Sequence, residues 1–180
     1  MKIHYLLIFL ALGLLSSCSS PLTYFTKDLY EEQNWTADDI ELIQFYLSDN
    51  IVLTRSLGKN ETKISEGKIE IVNGRKIERV IIAANTPGVL VHMPAEDRFA
   101  ISFEQADDNA FLMFGPNARR GNRYVLLAQE WQRDFGQIHY KGNLYTADAN
   151  SALSSLMVNL RKVGANDDTA YKAGGRTLQQ

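Results

Sequence analysis

The sequence predicts a mainly β protein, an antiparallel meander that forms a small barrel or sandwich with one N-terminal α-helix packed on it. Two observations support this fold class. Beyond residue 50, short apolar or alternating runs recur about 10 residues apart and are separated by turn signals, as in sandwiches and barrels. Before residue 50, one stretch combines a helix-capping sequence with apolar residues at helical spacing.

The first residues have the three parts of a secretory signal. A basic start precedes an apolar stretch over residues 5–15, which is too short for a membrane-spanning helix of roughly 20 residues. The segment Leu15-Ser16-Ser17-Cys18 resembles the lipobox of bacterial lipoproteins, and Cys18 is the only cysteine in the chain. The resemblance implies that residues 1–17 are a lipoprotein signal peptide and that Cys18 carries a diacylglycerol.

The expected location follows from this anchor. Two or three acyl chains, at about 0.8 kcal/mol per buried methylene, would hold the protein on a membrane. Ser19-Ser20-Pro21 contains no acidic residue that resembles an inner-membrane retention signal or a surface-export signal. We therefore expect a lipid-anchored protein of the bacterial cell envelope, in the outer membrane and facing the periplasm, with residues 18–28 as a lipidated tether.

The rest of the chain suits one domain. Residues 29–163 are predicted to form it, and the polar, unpatterned residues 164–180 are predicted to be a disordered tail. The 19 Lys and Arg residues nearly balance the 21 Asp and Glu residues, which argues against nucleic acid as a partner. With its one thiol lipidated, the chain offers no disulfide and no thiolate ligand, and we expect no cofactor.

The N-terminal helix is predicted over residues 37–47. Thr36 suits the N-cap, and Asp39 occupies the third helical position, as in a capping box. Trp35 and Ile40 have the spacing of a hydrophobic staple. Apolar residues then recur at helical spacing until the polar residues 48–50 end the pattern.

The strongest hairpin signal is Asn73-Gly74, which lies between two strand-like runs. A two-residue turn would place Ile69 opposite Glu78 and mix apolar and charged groups on one face. A three-residue loop, Val72-Asn73-Gly74, would place Ile69 opposite Ile77 and would pair opposite charges. Because matched cross-strand pairs contribute up to about 1 kcal/mol each, the three-residue loop is the predicted register.

The remaining strands are predicted from apolar runs. These runs cover residues 51–54, 89–92, 99–103, 111–114 and 124–128, and a hairpin of 137–140 with 144–146 across Lys141-Gly142. Thr86-Pro87-Gly88 has the signature of a type II turn. Residues 151–163 fit either a helix or a strand, and we favour a strand over 156–162 because a meander of this size usually closes on one.

The best candidate binding site is an arginine cluster in and beside the polar loop 115–122. Arg119, Arg120 and Arg123 supply guanidinium groups that bind carboxylates or phosphates bidentately. The bacterial envelope offers such anions as lipid headgroups, lipopolysaccharide phosphates and peptidoglycan carboxylates. These arginines are the candidate anion-binding residues, but the preferred interpretation is an ordinary solvated loop, because charge runs in loops are usually only solvated.

The sequence shows no pattern of catalytic or metal-binding residues. His92 and His139 fall in different predicted strands and have no ligand-like spacing, so we expect neither a metal site nor a catalytic residue. Asp107-Asp108-Asn109 is expected to be a hairpin tip rather than a calcium site. Nucleophile-elbow, phosphate-loop and dinucleotide-binding motifs are also missing.

The function expected from the sequence is that of a membrane-tethered, non-catalytic binding or assembly module. Its partners would be the membrane, through lipid on Cys18, and an envelope protein or an anionic envelope component. One alternative is a binder of a small lipid-like ligand in a barrel cavity, for which the chain offers the aromatic residues Phe99, Phe103, Phe111, Phe114 and Tyr124. The other is an envelope hydrolase that uses carboxylates with His92 or His139.

Overall fold

The computed structural model describes residues 22–58, 68–105, 109–132 and 135–165. Within them the chain forms two antiparallel sheets that pack together as a sandwich, which confirms the predicted mainly β fold class. Cys18, the predicted signal peptide and most of the predicted tail lie outside the described residues, as do Asp107 and Asp108.

The first sheet has seven strands and includes β1, the first strand of the described chain. From one edge to the other it contains β1 (Thr23–Tyr24), β13 (Leu156–Val158), β2 (Phe45–Leu47), β6 (Pro87–Ala95), β7 (Arg98–Ser102), β8 (Phe111–Asn117) and β9 (Arg123–Leu126). Two short helices, α1 (Lys27–Glu32) and α2 (Ala37–Glu41), connect β1 to β2. The last helix of the described chain, α3 (Leu160–Ala165), follows β13.

The second sheet contains, in spatial order, β10 (Glu130–Trp131), β11 (Phe135–Tyr140), β12 (Asn143–Asp148), β3 (Ile51–Ser56), β5 (Arg75–Ile82) and β4 (Lys68–Val72). The hairpin predicted across Lys141-Gly142 is confirmed, because Tyr140 pairs with Asn143. Lys141 and Gly142 have φ values of 49° and 73°, the positive values that a two-residue hairpin turn of type I′ requires.

An aromatic cluster fills the core beneath the two short helices. Phe25, Phe45, Phe99 and Tyr124 are each fully buried, and the Phe25 ring lies within 5.6 Å of the other three ring centroids. Burial of such a side chain contributes roughly 1.5–3 kcal/mol. The hydrophobic core of the domain therefore includes Phe25, a residue that precedes both short helices.

The predicted helix over residues 37–47 is wrong beyond Glu41. The capping box at Thr36 and Asp39 is present, but α2 ends at Glu41. Residues 45–47 form β2 instead, which is paired on one side with β13 and on the other with β6. Phe45 and Leu47 are both fully buried and alternate with half-buried Tyr46, so sheet pairing overrides the helical spacing.

The predicted three-residue loop at Val72-Asn73-Gly74 is also wrong. Val72 pairs with Arg75, so Asn73 and Gly74 alone form the turn, with φ values of 49° and 74°. Ile69 consequently lies opposite Glu78, the register that the cross-strand argument rejected. β4 is a largely exposed edge strand, so its apolar residues gain little from matched partners on the neighbouring strand.

The predicted type II turn at Thr86-Pro87-Gly88 is not formed. The chain turns at Ala84 and Asn85, and Pro87 and Gly88 belong to β6, where they pair with β2. Gly88 is required by close packing rather than by a turn. A Cβ atom at this position would lie 2.6 Å from the Phe103 ring.

The strand predicted over residues 156–162 is confirmed only for its first three residues. Leu156–Val158 form β13, which is paired with β1 on one side and β2 on the other. Leu160–Ala165 form a helix instead. A helix is thus present, as the alternative interpretation of residues 151–163 predicts, but it begins only at Leu160.

Candidate functional site

The predicted arginine cluster lies at the tight connection between β8 and β9. Ala118–Arg120 form a 3-10 turn, in which the Asn117 side-chain oxygen accepts a hydrogen bond from the Arg119 backbone N–H at 3.0 Å. Gly121 and Asn122 then reverse the chain with φ values of 63° and 55°. Glycine and asparagine tolerate this left-handed conformation best, so the local sequence specifies the turn.

Hydrogen bonds join this connection to the first residues of the described chain. The Lys27 N–H donates to the Asn122 carbonyl at 2.9 Å, and the Asn122 side-chain N–H donates to the Asp28 carboxylate at 3.0 Å. Two residues further on, the Tyr124 N–H donates to the Phe25 carbonyl at 3.1 Å. The arginine loop is therefore held against the segment through which the chain enters the domain.

An open depression of about 750 Å³ lies where this loop meets β1. Its lining includes the three arginines and Thr23, Tyr24 and Thr26, and we call it the arginine surface. Arg123 Cζ lies 3.6 Å from the centroid of the Tyr24 ring, a cation–π contact that orients the guanidinium group. Arg119 is exposed, and Arg120 and Arg123 are half-buried.

The arginine surface has a net positive charge. Within the part of the chain that the structure describes, no guanidinium group of Arg119, Arg120 or Arg123 forms an ion pair with a carboxylate. Such groups present forked N–H donors that match carboxylate and phosphate oxygens. The arrangement can therefore hold an anionic group. The structure brings together the three residues that the sequence singled out and adds Tyr24, which has no local sequence signal.

The two histidines considered for catalysis lie apart from this surface. His92 is exposed, and its ring packs edge-on against Phe111 at 4.9 Å. His139 is exposed on β11. Among the residues described, no group of three His, Cys, Asp or Glu side chains has the geometry to hold a metal ion.

A second depression, of about 680 Å³, lies between β8 and β11. Most of its walls are apolar and come from residues such as Phe111, Met113, Leu127 and Ile138. Of the five aromatic residues considered for a carrier cavity, Phe111 contributes to this groove. Phe99, Phe114 and Tyr124 are instead fully buried, and Phe103 packs over Gly88.

The described helices are too short and too polar for any of them to cross a membrane. Comparison of the chain with protein-family models, with curated proteins and with solved structures gives no match of any kind.

Proposed function

We propose that this protein is a lipid-anchored protein of the bacterial envelope, tethered through Cys18 and acting as a non-catalytic binding or assembly module. In this proposal the arginine surface contacts an anionic envelope component. The observation that carries it is the position of that surface against β1, the strand that the tether would enter.

The length of the tether supports a membrane-facing role for the arginine surface. Thr23 follows Cys18 by five residues, and five fully extended residues span at most about 18 Å. Thr23 and Tyr24 line the arginine surface themselves. A lipid on Cys18 would therefore hold Arg119, Arg120 and Arg123 within reach of the membrane on which the protein is anchored.

The expected energies suggest what the arginines would contribute. Each Arg close to an anionic surface is worth on the order of 1 kcal/mol, and this attraction falls off over a Debye length of about 8 Å at physiological salt. Acyl chains contribute far more than this. The anchor would supply the membrane affinity, and the arginine surface would orient the domain or select an anionic partner.

Lipidation is tested by replacing the acceptor cysteine. Wild-type protein expressed in a bacterial host should partition into the detergent phase of a Triton X-114 separation, and Cys18→Ala protein should remain uncleaved and unlipidated. Mass spectrometry of the N-terminal peptide identifies the modification directly. A wild-type N-terminal peptide without lipid would overturn the anchor.

The arginine surface is tested with a chain that begins at Ser19, so that no anchor masks weak binding. We expect co-sedimentation with vesicles containing phosphatidylglycerol at low salt, and weak binding to neutral phosphatidylcholine vesicles. Arg119→Ala, Arg120→Ala and Arg123→Ala together should weaken binding by up to about 100-fold, the equivalent of roughly 3 kcal/mol.

A matched control removes the same charge elsewhere. Lys68, Arg75 and Lys76 are exposed on the hairpin of β4 and β5, and their triple replacement by alanine should leave vesicle binding nearly intact. Equal losses in the two triple variants would mean that only overall charge matters. That result would refute a specific role for the arginine surface.

A lipid-like ligand is the second candidate, because the groove between β8 and β11 is mainly apolar. A fluorescent fatty acid should then bind the protein, and Phe111→Ser, which changes a residue of the groove wall, should weaken that binding. Fluorescence that does not change when protein is added would remove this candidate.

A further inference from the structure

A polar pocket of about 320 Å³ lies beside α1 and is separate from the arginine surface. Lys27, Tyr30 and Glu31 line it from the helix, and Glu96 and Asp97 line it from the turn between β6 and β7. Tyr124 of β9 completes the lining, and we call this site the tyrosine pocket. Its volume lies at the lower end of the range for small-molecule sites.

The Tyr124 hydroxyl is the unexplained group of this pocket. The Tyr124 ring is fully buried in the aromatic cluster, where it stacks on Phe99 at 4.7 Å. Its hydroxyl oxygen is buried and makes no hydrogen bond within the described part of the chain. Burial and the neighbouring Asp97 carboxylate raise the pKa of Tyr124, so the hydroxyl is neutral and protonated at physiological pH. A buried hydroxyl without a partner is unfavourable unless something else fills that role.

The charges of the pocket are unevenly paired. The Lys27 Nζ lies 3.7 Å from the Glu31 carboxylate, and the Arg98 guanidinium lies 3.0 Å from the Asp97 carboxylate. The carboxylate of Glu96 has no ion-pair partner among the described residues. Burial, and next the charge of Glu96, raise the pKa of Tyr30. The pocket thus combines one unbalanced negative charge with two phenol groups.

We propose that the tyrosine pocket binds the primary ammonium group of a small alkylammonium ligand. An ammonium group has three N–H donors and one positive charge. It can donate to the Tyr124 hydroxyl oxygen and to the Glu96 carboxylate, while the Tyr30 ring supplies an aromatic wall that favours a cation. A divalent metal fits less well, because such ions need six or more oxygen ligands or an organised set of side chains, and the described residues offer no such set.

The test measures binding of butylamine to the purified full-length protein in detergent, with 1-butanol as an uncharged ligand of the same length. Isothermal titration calorimetry or ligand-observed NMR should detect butylamine at pH 7 and much weaker binding of 1-butanol. Tyr124→Phe and Glu96→Gln should each weaken butylamine binding roughly tenfold or more, since each removes a hydrogen bond to a charged group.

Two controls separate ligand binding from folding. Tyr124→Phe keeps the buried ring and removes only the unpaired hydroxyl, so its circular dichroism and melting curve should match a folded protein. Glu130→Gln removes an exposed carboxylate of β10 and should bind butylamine as the wild type does. The proposal is overturned if butylamine does not bind, if 1-butanol binds equally well, or if Tyr124→Phe and Glu96→Gln bind like the wild type.

Discussion

The buried ion pair in the second sheet makes the sharpest stability prediction. Glu78 is fully buried on β5, opposite Arg55 of β3. The Arg55 Nε lies 2.5 Å from a Glu78 carboxylate oxygen, and the Tyr145 hydroxyl donates to the same oxygen at 3.1 Å. The Arg55 side chain is itself only 11% exposed, so solvent screens this pair poorly.

The expected cost of removing the cation follows from these distances. At an effective dielectric constant of about 20, unit charges 2.5 Å apart attract each other by about 7 kcal/mol. The desolvation of both groups offsets part of this attraction, but Arg55→Met leaves the buried carboxylate desolvated without its cation. We therefore expect Arg55→Met to lower the free energy of unfolding by about 3–5 kcal/mol, a large share of a typical total of roughly 5–15 kcal/mol.

A double variant separates the effect of the Arg55–Glu78 ion pair on stability from the effect of side-chain packing. Arg55→Met combined with Glu78→Leu replaces both charges by apolar side chains, so its stability should return to within about 1–2 kcal/mol of the wild type or exceed it. Urea denaturation followed by circular dichroism measures all of these free energies, provided that the slopes agree. If Arg55→Met costs less than about 1 kcal/mol, or if the double variant is no more stable than Arg55→Met, the reasoning about the buried charge fails.

Two further predictions concern buried groups elsewhere in the fold. Burial, and next the Glu78 charge, raise the pKa of Tyr145, and burial also raises the pKa of Tyr124. The tyrosines of the unfolded chain titrate near pH 10, whereas the folded state retains these protons to higher pH. The free energy of unfolding should therefore be unaffected below about pH 10 and should fall as the pH rises further. Urea midpoints between about pH 9 and 11.5 should show this fall, and Tyr124→Phe should reduce it; a flat profile would contradict the burial argument. Gly88→Ala should lower the free energy of unfolding by about 1–3 kcal/mol, because its methyl group would lie 2.6 Å from the Phe103 ring. Gly88→Ala with Phe103→Leu should recover part of this loss, and an undiminished loss would show that Phe103 is not the obstacle.

The sequence predicts best those features that depend on neighbouring residues. The hairpin at Lys141-Gly142 and the capping box at Thr36 each need only local hydrogen bonds and local backbone conformation, and both are present. Asn73-Gly74 likewise marks a turn correctly. In each case the residue type itself favours the backbone angles or supplies the hydrogen bond.

The wrong predictions share a different cause, which is pairing between distant parts of the chain. Residues 45–47 have a helical spacing of apolar residues, yet they pair with β13, more than 100 positions later in the sequence. The register of β4 depends on whether its face is covered, and its place at the sheet edge is not visible in its own sequence. The sequence around Gly88 indicates a turn, whereas the structure shows that Gly88 leaves room for the ring of Phe103, a contact that the local sequence does not reveal.

The candidate sites divide in the same way. Arg119, Arg120 and Arg123 are close in sequence, so their clustering could be predicted. The role of Tyr24 could not, since it depends on backbone contacts that hold residues 25–27 against residues 122–124, far along the chain. The tyrosine pocket draws residues from α1, the turn after β6 and β9, and no local pattern connects Tyr124 with Glu96. An unpaired buried hydroxyl can be recognised only when its surroundings are known.

Helix α1 links the two proposed sites. Thr26, its N-cap, and Leu29 face the arginine surface, whereas Lys27, Tyr30 and Glu31 line the tyrosine pocket. A helix with its side chains is about 10–12 Å across, so the two sites lie roughly one helix diameter apart. If the arginine surface rests on an anionic membrane, α1 holds the tyrosine pocket within about one helix diameter of that contact. An ammonium ligand would then be bound where anionic lipids already concentrate cations, and both sites would depend on the same short tether from Cys18.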